Sequence, residues 1–450
     1  MTFAAAWHAA AQQVSLPDKL VGHGGPVKAV QINLSGDQAL TSSFDYSIMF
    51  WSLQNGKAET LHRMIGHNAA VNDIAFVPAR ENFWSDNEIA VSVSDDGAFG
   101  IWDLKSGEAV SLIKDGEEKM LDVTASSYGT FAAAAKWDGS ARVYDLETRK
   151  EIYRFEGHKG PVNSVAFSPN SNALFSTSYD GDIRFWRVRE PETPDQYSIL
   201  QHGAVIHSNG WGVNVMQALP DGTGLLFGTV NGLVGVLDIQ SRKVTELGTY
   251  EHPILSLAIS EKAGWIAAGS GDGFIRVYDL ASKELIEQRQ DAYGPVWGMA
   301  FSADGKQIFK AGLDDFVGQW QISPRKPIEL SQSEFPRRFQ VRNSEDPGES
   351  EFQRKCSVCH TLVPNDKNRA GPTLYKLFGR KAGTVPGYVY SPALLNSGII
   401  WTEETVSRLF DEGPDIVTPG TKMPIQRLKS VERRNDLIAY LKRASEVGEE

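Results

Sequence analysis

The chain has 450 residues, 22% of them charged, with 45 basic and 56 acidic side chains and a net charge of −11 at pH 7. This length admits more than one domain, and the acidic balance argues against nucleic acid, which rewards a basic face. Two cysteines in the whole chain exclude a cystine framework and a four-thiolate zinc or iron–sulfur site, and no stretch approaches the roughly 20 apolar residues of a membrane-spanning helix.

The first eleven residues lack a positively charged start and hold only a short apolar stretch. Ala9-Ala10-Ala11 before Gln12 nevertheless has the small-residue form of a cleavage site. Residues 1–11 therefore read as the tail of a signal peptide that starts upstream. From residue 12 to 322 the signal is a period. An aromatic or aliphatic residue closes an apolar run at Trp51, Trp102, Tyr144, Trp186, Leu237, Tyr278 and Trp320, in steps of 51, 42, 42, 51, 41 and 42. Asp or Asn stands six residues before each, at Asp45, Asp96, Asp138, Asp180, Asn231, Asp272 and Asp314, and three units open on Gly-His, at His23, His67 and His158. The pattern resembles the WD-repeat family, whose unit is a four-stranded blade of about 40 to 45 residues. Seven units predict an all-β, seven-bladed propeller over residues 12–322.

Ser, His and Asp within one unit invite comparison with a hydrolase triad. A triad occurs once, whereas this set recurs with the repeat, so its role is structural. The turn aspartate accepts hydrogen bonds near the Gly-His histidine, and a strand hydroxyl and the closing tryptophan extend the network, as with His23, Ser43, Asp45 and Trp51 in unit one. Units one, two and four have the full set. The others lack the histidine and are expected to be held by strand pairing alone. The two steps of 51 imply insertions at 78–87 and 191–209, which read as binding loops. A closed ring needs both chain ends in one blade, and residues 14–21 are the natural outer strand of the last.

Charge is unevenly spread: residues 1–322 carry 25 basic and 39 acidic side chains, residues 323–344 carry 5 and 2, and residues 345–450 carry 15 and 15. An acidic propeller suits basic protein partners, or it is simply a soluble surface. Residues 323–344, with Pro324, Pro327, Pro336 and Arg337-Arg338, have neither helical nor strand periodicity and read as a tether.

The last part, residues 345–450, contains both cysteines, in Cys356-Ser357-Val358-Cys359-His360. Two thiols and an imidazole at this spacing suit covalent haem attachment, with thioethers from Cys356 and Cys359 and His360 as proximal iron ligand. A thioredoxin-like pair is the alternative, but that pair expects a βαβ context and does not need the histidine. No other histidine follows His252, and the only later methionine is Met423, in Pro419-Gly420-Thr421-Lys422-Met423-Pro424. A loop flanked by Pro and Gly is a poor place for a core methionine, so Met423 is expected as the second axial ligand, with Lys422 its only neighbouring rival.

Around these residues the chain resembles the class I cytochromes c of mitochondrial type. Gly348 and Phe352 precede the pentad as on that family's N-terminal helix, and Asp436-Leu437-Ile438-Ala439-Tyr440-Leu441-Lys442 is similar to its C-terminal helix. The resemblance implies an all-α domain in which those helices cross closely at Gly348. It also implies that Arg380, Tyr390 and Trp401 surround the haem propionates, that the Pro372 carbonyl takes the His360 ring N–H, and that Thr421 donates in the haem crevice. The chain departs from the family where Leu394 replaces an asparagine, where Val406, Leu409 and Phe410 offer no tyrosine hydroxyl, and where the usual lysines give way to Gly413-Pro414-Asp415-Ile416-Val417.

The leading expectation is a one-electron carrier with one covalently bound haem c and a propeller that docks redox partner proteins. Haem attachment in that family takes place outside the bacterial cytoplasm or between the mitochondrial membranes, which with residues 1–11 implies a periplasmic protein, or alternatively an intermembrane-space one. The rival is a redox enzyme with a second cofactor or substrate site in the propeller, for which only the scattered His8, His62, His202, His207 and His252 remain. A scaffold with a structural or sensory haem is the third possibility.

Overall fold

The computed structural model describes residues 16–80, 84, 88–114, 116–188, 198–201, 203–290, 294–324, 346–357, 360–364, 371–386, 388, 390, 392–418, 423 and 427–446. The expected signal remnant and all of the tether beyond residue 324 lie outside them.

Seven antiparallel sheets follow one another along the chain, each led by an inner strand, from Val27–Ile32 in blade 1 to Gly298–Phe301 in blade 7. Their residues alternate so that apolar side chains meet between blades; Trp51, Trp102 and Tyr144 are at most 1% exposed. The ring closes as a shared blade: Lys19–Val21 pairs antiparallel with Phe316–Gln321, joining the first strand to the last. Adjacent blades are also stapled near the central channel. Asn72 donates to the Met120 carbonyl at 2.8 Å, Asn163 to Val213 at 3.0 Å, Asn214 to Ile254 at 3.0 Å and Ser256 to Val296 at 2.8 Å. Each bond satisfies a backbone acceptor of the next blade.

The histidine networks form in blades 1, 2 and 4. In blade 2 the Trp102 indole donates to Ser92 Oγ at 2.8 Å, that hydroxyl lies 2.7 Å from His67 Nε2, and His67 Nδ1 donates to Asp96 at 3.2 Å. Blade 4 repeats this with Trp186, Ser176, His158 and Asp180. Blade 1 corrects one residue. The hydroxyl between His23 and Trp51 is Thr41, at 2.7 and 2.9 Å, while Ser43 donates to the Pro26 carbonyl at 2.8 Å. Thr41 and Ser43 share a strand face, and Thr41 is the one a full pair closer to the indole.

Blades 3, 5 and 6, which lack the histidine, are not held by strand pairing alone. In blade 3 the 3%-exposed Arg142 takes over: its Nη2 donates to Asp138 at 2.8 Å, Nε to Ser140 at 2.7 Å and Nη1 to Glu151 at 3.1 Å. In blade 5 Thr229 donates to Asn231 at 2.6 Å, and in blade 6 Ser270 donates to Asp272. The second insertion is also more than a loop. Ser198–Gln201 runs parallel to Lys150–Glu156 as a fifth strand on blade 3, and Ala204–Ser208 is the outer strand of blade 4. Of the first insertion, Arg80 and Trp84 bridge to each other, and the Trp84 indole donates to the Pro78 carbonyl.

Among the described residues beyond the propeller lie five helices: α1 (Pro347–Lys355), α2 (Pro392–Leu395), α3 (Glu403–Asp411), α4 (Pro414–Val417) and α5 (Val431–Ala444). The Asp346 side chain caps α1 by accepting from Gly348 and Glu349, with Pro347 in the first turn. Ser430 caps α5 by accepting from Arg433. The helices share a core of Phe352, Leu377, Val406, Phe410, Leu437 and Leu441. Helices α1 and α5 cross at Gly348, where a Cβ would lie 2.1 Å from the Asp436 carbonyl oxygen, so only glycine permits this approach. No described helix is long and apolar enough to cross a membrane.

Candidate functional site

A cavity opens among the helices, and its geometry starts from the end of α1. The Cys356 amide donates to the Phe352 carbonyl and closes the helix, and the thiol-bearing residue is 4% exposed within the core. One turn on, the His360 amide donates to the Cys356 carbonyl at 2.8 Å, which carries the imidazole to the cavity wall. Its Nδ1 donates to the Pro372 carbonyl at 2.7 Å, so the lone pair that a metal can use is the one on Nε2. The ring is held tightly from behind: a Cβ on Gly371 would lie 2.3 Å from His360 Cε1.

Met423 lines the same cavity and packs, half-buried, against the helical core. The wall is otherwise largely apolar. The Thr402 cap and its reciprocal bond with Thr405 start α3, whose 3.6-residue period puts Val406, Leu409 and Phe410 on the buried face beside the cavity. Leu374, Leu377, Leu394 and Leu441 extend the apolar lining. A half-buried imidazole, a thioether and an apolar slot fit a haem group. The four-residue α2 brings Leu394 there, where a polar side chain is absent.

The polar side of the cavity is built on a short ladder between 379–382 and 399–401. Gly379 donates to the Trp401 carbonyl at 2.8 Å, Trp401 to Arg380 at 3.0 Å and Ala382 to Ile399 at 2.8 Å. The Arg380 guanidinium donates to the Tyr375 and Thr373 carbonyls, both at 2.7 Å, and burial pulls its pKa below the ordinary value. Tyr390 accepts from the Val385 amide at 3.3 Å, and burial pushes its hydroxyl up. Arg380, Tyr390 and Trp401 all line the cavity, together with Pro372 and His360.

Of the residues expected from sequence, Cys356, His360, Pro372, Arg380, Tyr390, Trp401 and Met423 are thus brought to one cavity, whereas Cys359 and Thr421 lie outside the described residues. Among the lining residues with no role assigned from sequence, Gly371, Thr418 and Tyr46 stand out. Gly371 stands in a Gly-Pro pair whose signal is only that of a turn. Thr418, 3% exposed, spends its hydroxyl on the Pro414 carbonyl at 2.8 Å. Tyr46 comes from blade 1, and nothing in the helical sequence points to it.

Known proteins match both parts of the chain. A family model described as "WD domain, G-beta repeat" matches residues 15–52, 58–103, 149–187 and 243–279. Over 95 residues the chain is 48% identical to cytochrome c2 of Blastochloris viridis, covering 21% of this chain and 73% of that protein. It is 47% identical over 100 residues to cytochrome c of Sesamum indicum, covering 22% of this chain and 87% of that protein. Cytochrome c of Gibberella zeae is 44% identical over 95 residues, covering 21% and 89% respectively.

Proposed function

Because the chain belongs to the cytochrome c family and joins that part to a propeller of WD40 repeats, we propose that it is a one-electron carrier with one haem c. On this reading residues 345–450 are an all-α, class I domain, and Cys356 and Cys359 hold the haem through thioethers. His360 and Met423 would hold its iron. Bound there, the haem supplies an iron that gains or loses one electron.

The observation that carries the proposal is the His360 bond to the Pro372 carbonyl at 2.7 Å, in a cavity that Met423 also lines. That bond fixes the tautomer and ring orientation a proximal ligand needs. A Met423 thioether on that iron would favour its reduced form and raise the potential. Arg380, held by two carbonyls, keeps a positive charge at the polar side of the cavity, where Tyr390 and Trp401 would be the further partners of the propionates, and Thr421 is the expected donor in the haem crevice. Leu394, Leu409 and Phe410 exclude water from the remainder.

The propeller, residues 12–322 with a net charge of −14 from 25 basic and 39 acidic side chains, serves as the docking module for a basic redox partner. Residues 323–344 tether it. The chain is exported to the periplasm, and N-terminal sequencing of the native protein tests this: a retained Met1 in a cytoplasmic fraction contradicts it, and recovery from the mitochondrial intermembrane space supports the alternative. Cofactor and metal analysis tests the carrier reading. One haem per chain and nothing else is expected, and a second chromophore would point to a redox enzyme instead.

A further inference from the structure

In blades 1 to 6 the turn that precedes the third strand repeats a backbone conformation with positive φ. Blades 2 to 6 fill it with Gly97, Gly139, Gly181, Gly232 and Gly273, at φ between 77° and 89°. Blade 1 places Tyr46 there at φ 68°, a conformation that L side chains adopt at a cost. The turn is fixed on both sides. Asp45 accepts from His23 at 3.2 Å, from Ser47 at 2.6 Å and from the Gly24 amide at 2.6 Å. The Phe44 ring lies 5.4 Å from that of Trp297. A strained residue held by a rigid turn presents its side chain in one direction, and that of the half-buried Tyr46 lines the helical cavity together with Gly383 and Tyr388.

We infer that the blade 1 turn docks on the mouth of this cavity, so that the propeller's partner includes the chain's own helical part and Tyr46 shields the group bound inside. The shielding, though not the docking, rests on the haem reading above. Five blades show that glycine satisfies the turn, so Tyr46→Gly removes the cover without removing the fold. The test uses the full chain. With p-benzoylphenylalanine at position 46, irradiation is expected to give an intramolecular adduct mapped by mass spectrometry to residues 377–390, at a yield independent of protein concentration. In Tyr46→Gly, reduction by a small hydrophilic reagent should be several-fold faster and the midpoint potential lower, because water reaching the site favours the more highly charged oxidised form. An adduct elsewhere, or only between chains, overturns the docking; an adduct with unchanged reduction rate and potential overturns the shielding. Tyr46→Phe should behave as the parent, and a rate matching that of the glycine variant would also overturn the shielding. A wild-type chain without a haem spectrum would refute the carrier reading while leaving the adduct result to stand.

Discussion

The propeller and the helical part solve the burial of polar groups in opposite ways. In blade 2 the turn aspartate, the histidine, the serine and the tryptophan satisfy one another in a closed relay, and the same logic recurs around the ring with changed residues. Among the helices, His360 and Arg380 are each anchored to backbone carbonyls and aimed at a cavity. A repeat that closes its own hydrogen bonds is a scaffold, and a small core that directs its polar groups inward is completed by what it binds.

The largest effect should come from breaking the helical part where it meets its ligand. Replacing Cys356 and Cys359 together with serine should abolish covalent haem, read as loss of haem staining after denaturing electrophoresis, while the propeller's β-sheet circular dichroism is kept. A smaller loss is expected at the α1–α5 crossing. Gly348→Ala forces its Cβ against the Asp436 carbonyl and should cost about 2 kcal/mol, seen as a lowered thermal transition for the helical part and an unchanged one for the propeller. Equal shifts in both transitions would mean that the two parts unfold as one.

Within the propeller the effects should be of similar size in unlike blades. His67→Ala takes a hydrogen-bond partner from Ser92 and Asp96, and Arg142→Ala takes one from the buried Ser140, each at about 1–3 kcal/mol. A neutral Arg142→Ala would mean that strand pairing alone holds blade 3. Burial raises the pKa of Asp96, but the His67 hydrogen bond and charge and the Asn68 and Ala98 amides outweigh it and hold the pKa at about 2. Its folded value thus lies below the unfolded 3.8, so its stabilisation is present above pH 4 and is lost as pH falls towards 2. Asp45 and Asp180 follow the same direction. Asp73 opposes them: burial and then the neighbouring Asp122 charge raise it, so its contribution is lost as pH rises. Acid unfolding followed by tryptophan fluorescence should therefore begin at higher pH in His67→Ala than in the parent.

How much of this was legible depends on the range of the interactions. The blade count was, because the turn aspartates and closing aromatics are local and recur with the chain. The choice of Thr41 over Ser43 was not, since both lie on one strand face and only the position of the indole separates them. The role of Arg142 was not, because its substitution for a histidine happens in space, from a different strand. The strand Ser198–Gln201 pairs in parallel with Lys150–Glu156, about 45 residues earlier, and no local pattern encodes that partner. The cavity was legible through the cysteine pair, the single later methionine and the family resemblance. Its apolar wall followed from the period of α3, but Tyr46 belongs to a blade some 300 residues away.

The most direct test of the carrier account is a potentiometric titration of the full-length chain beside Met423→Ala, each followed through its haem absorption. The account predicts one haem per chain titrating as a single one-electron wave in the parent. In the variant the haem stays covalently bound and the midpoint potential falls, because the thioether that favours the reduced iron is gone. An unchanged potential in Met423→Ala, or a parent chain with no titrating haem, would contradict it.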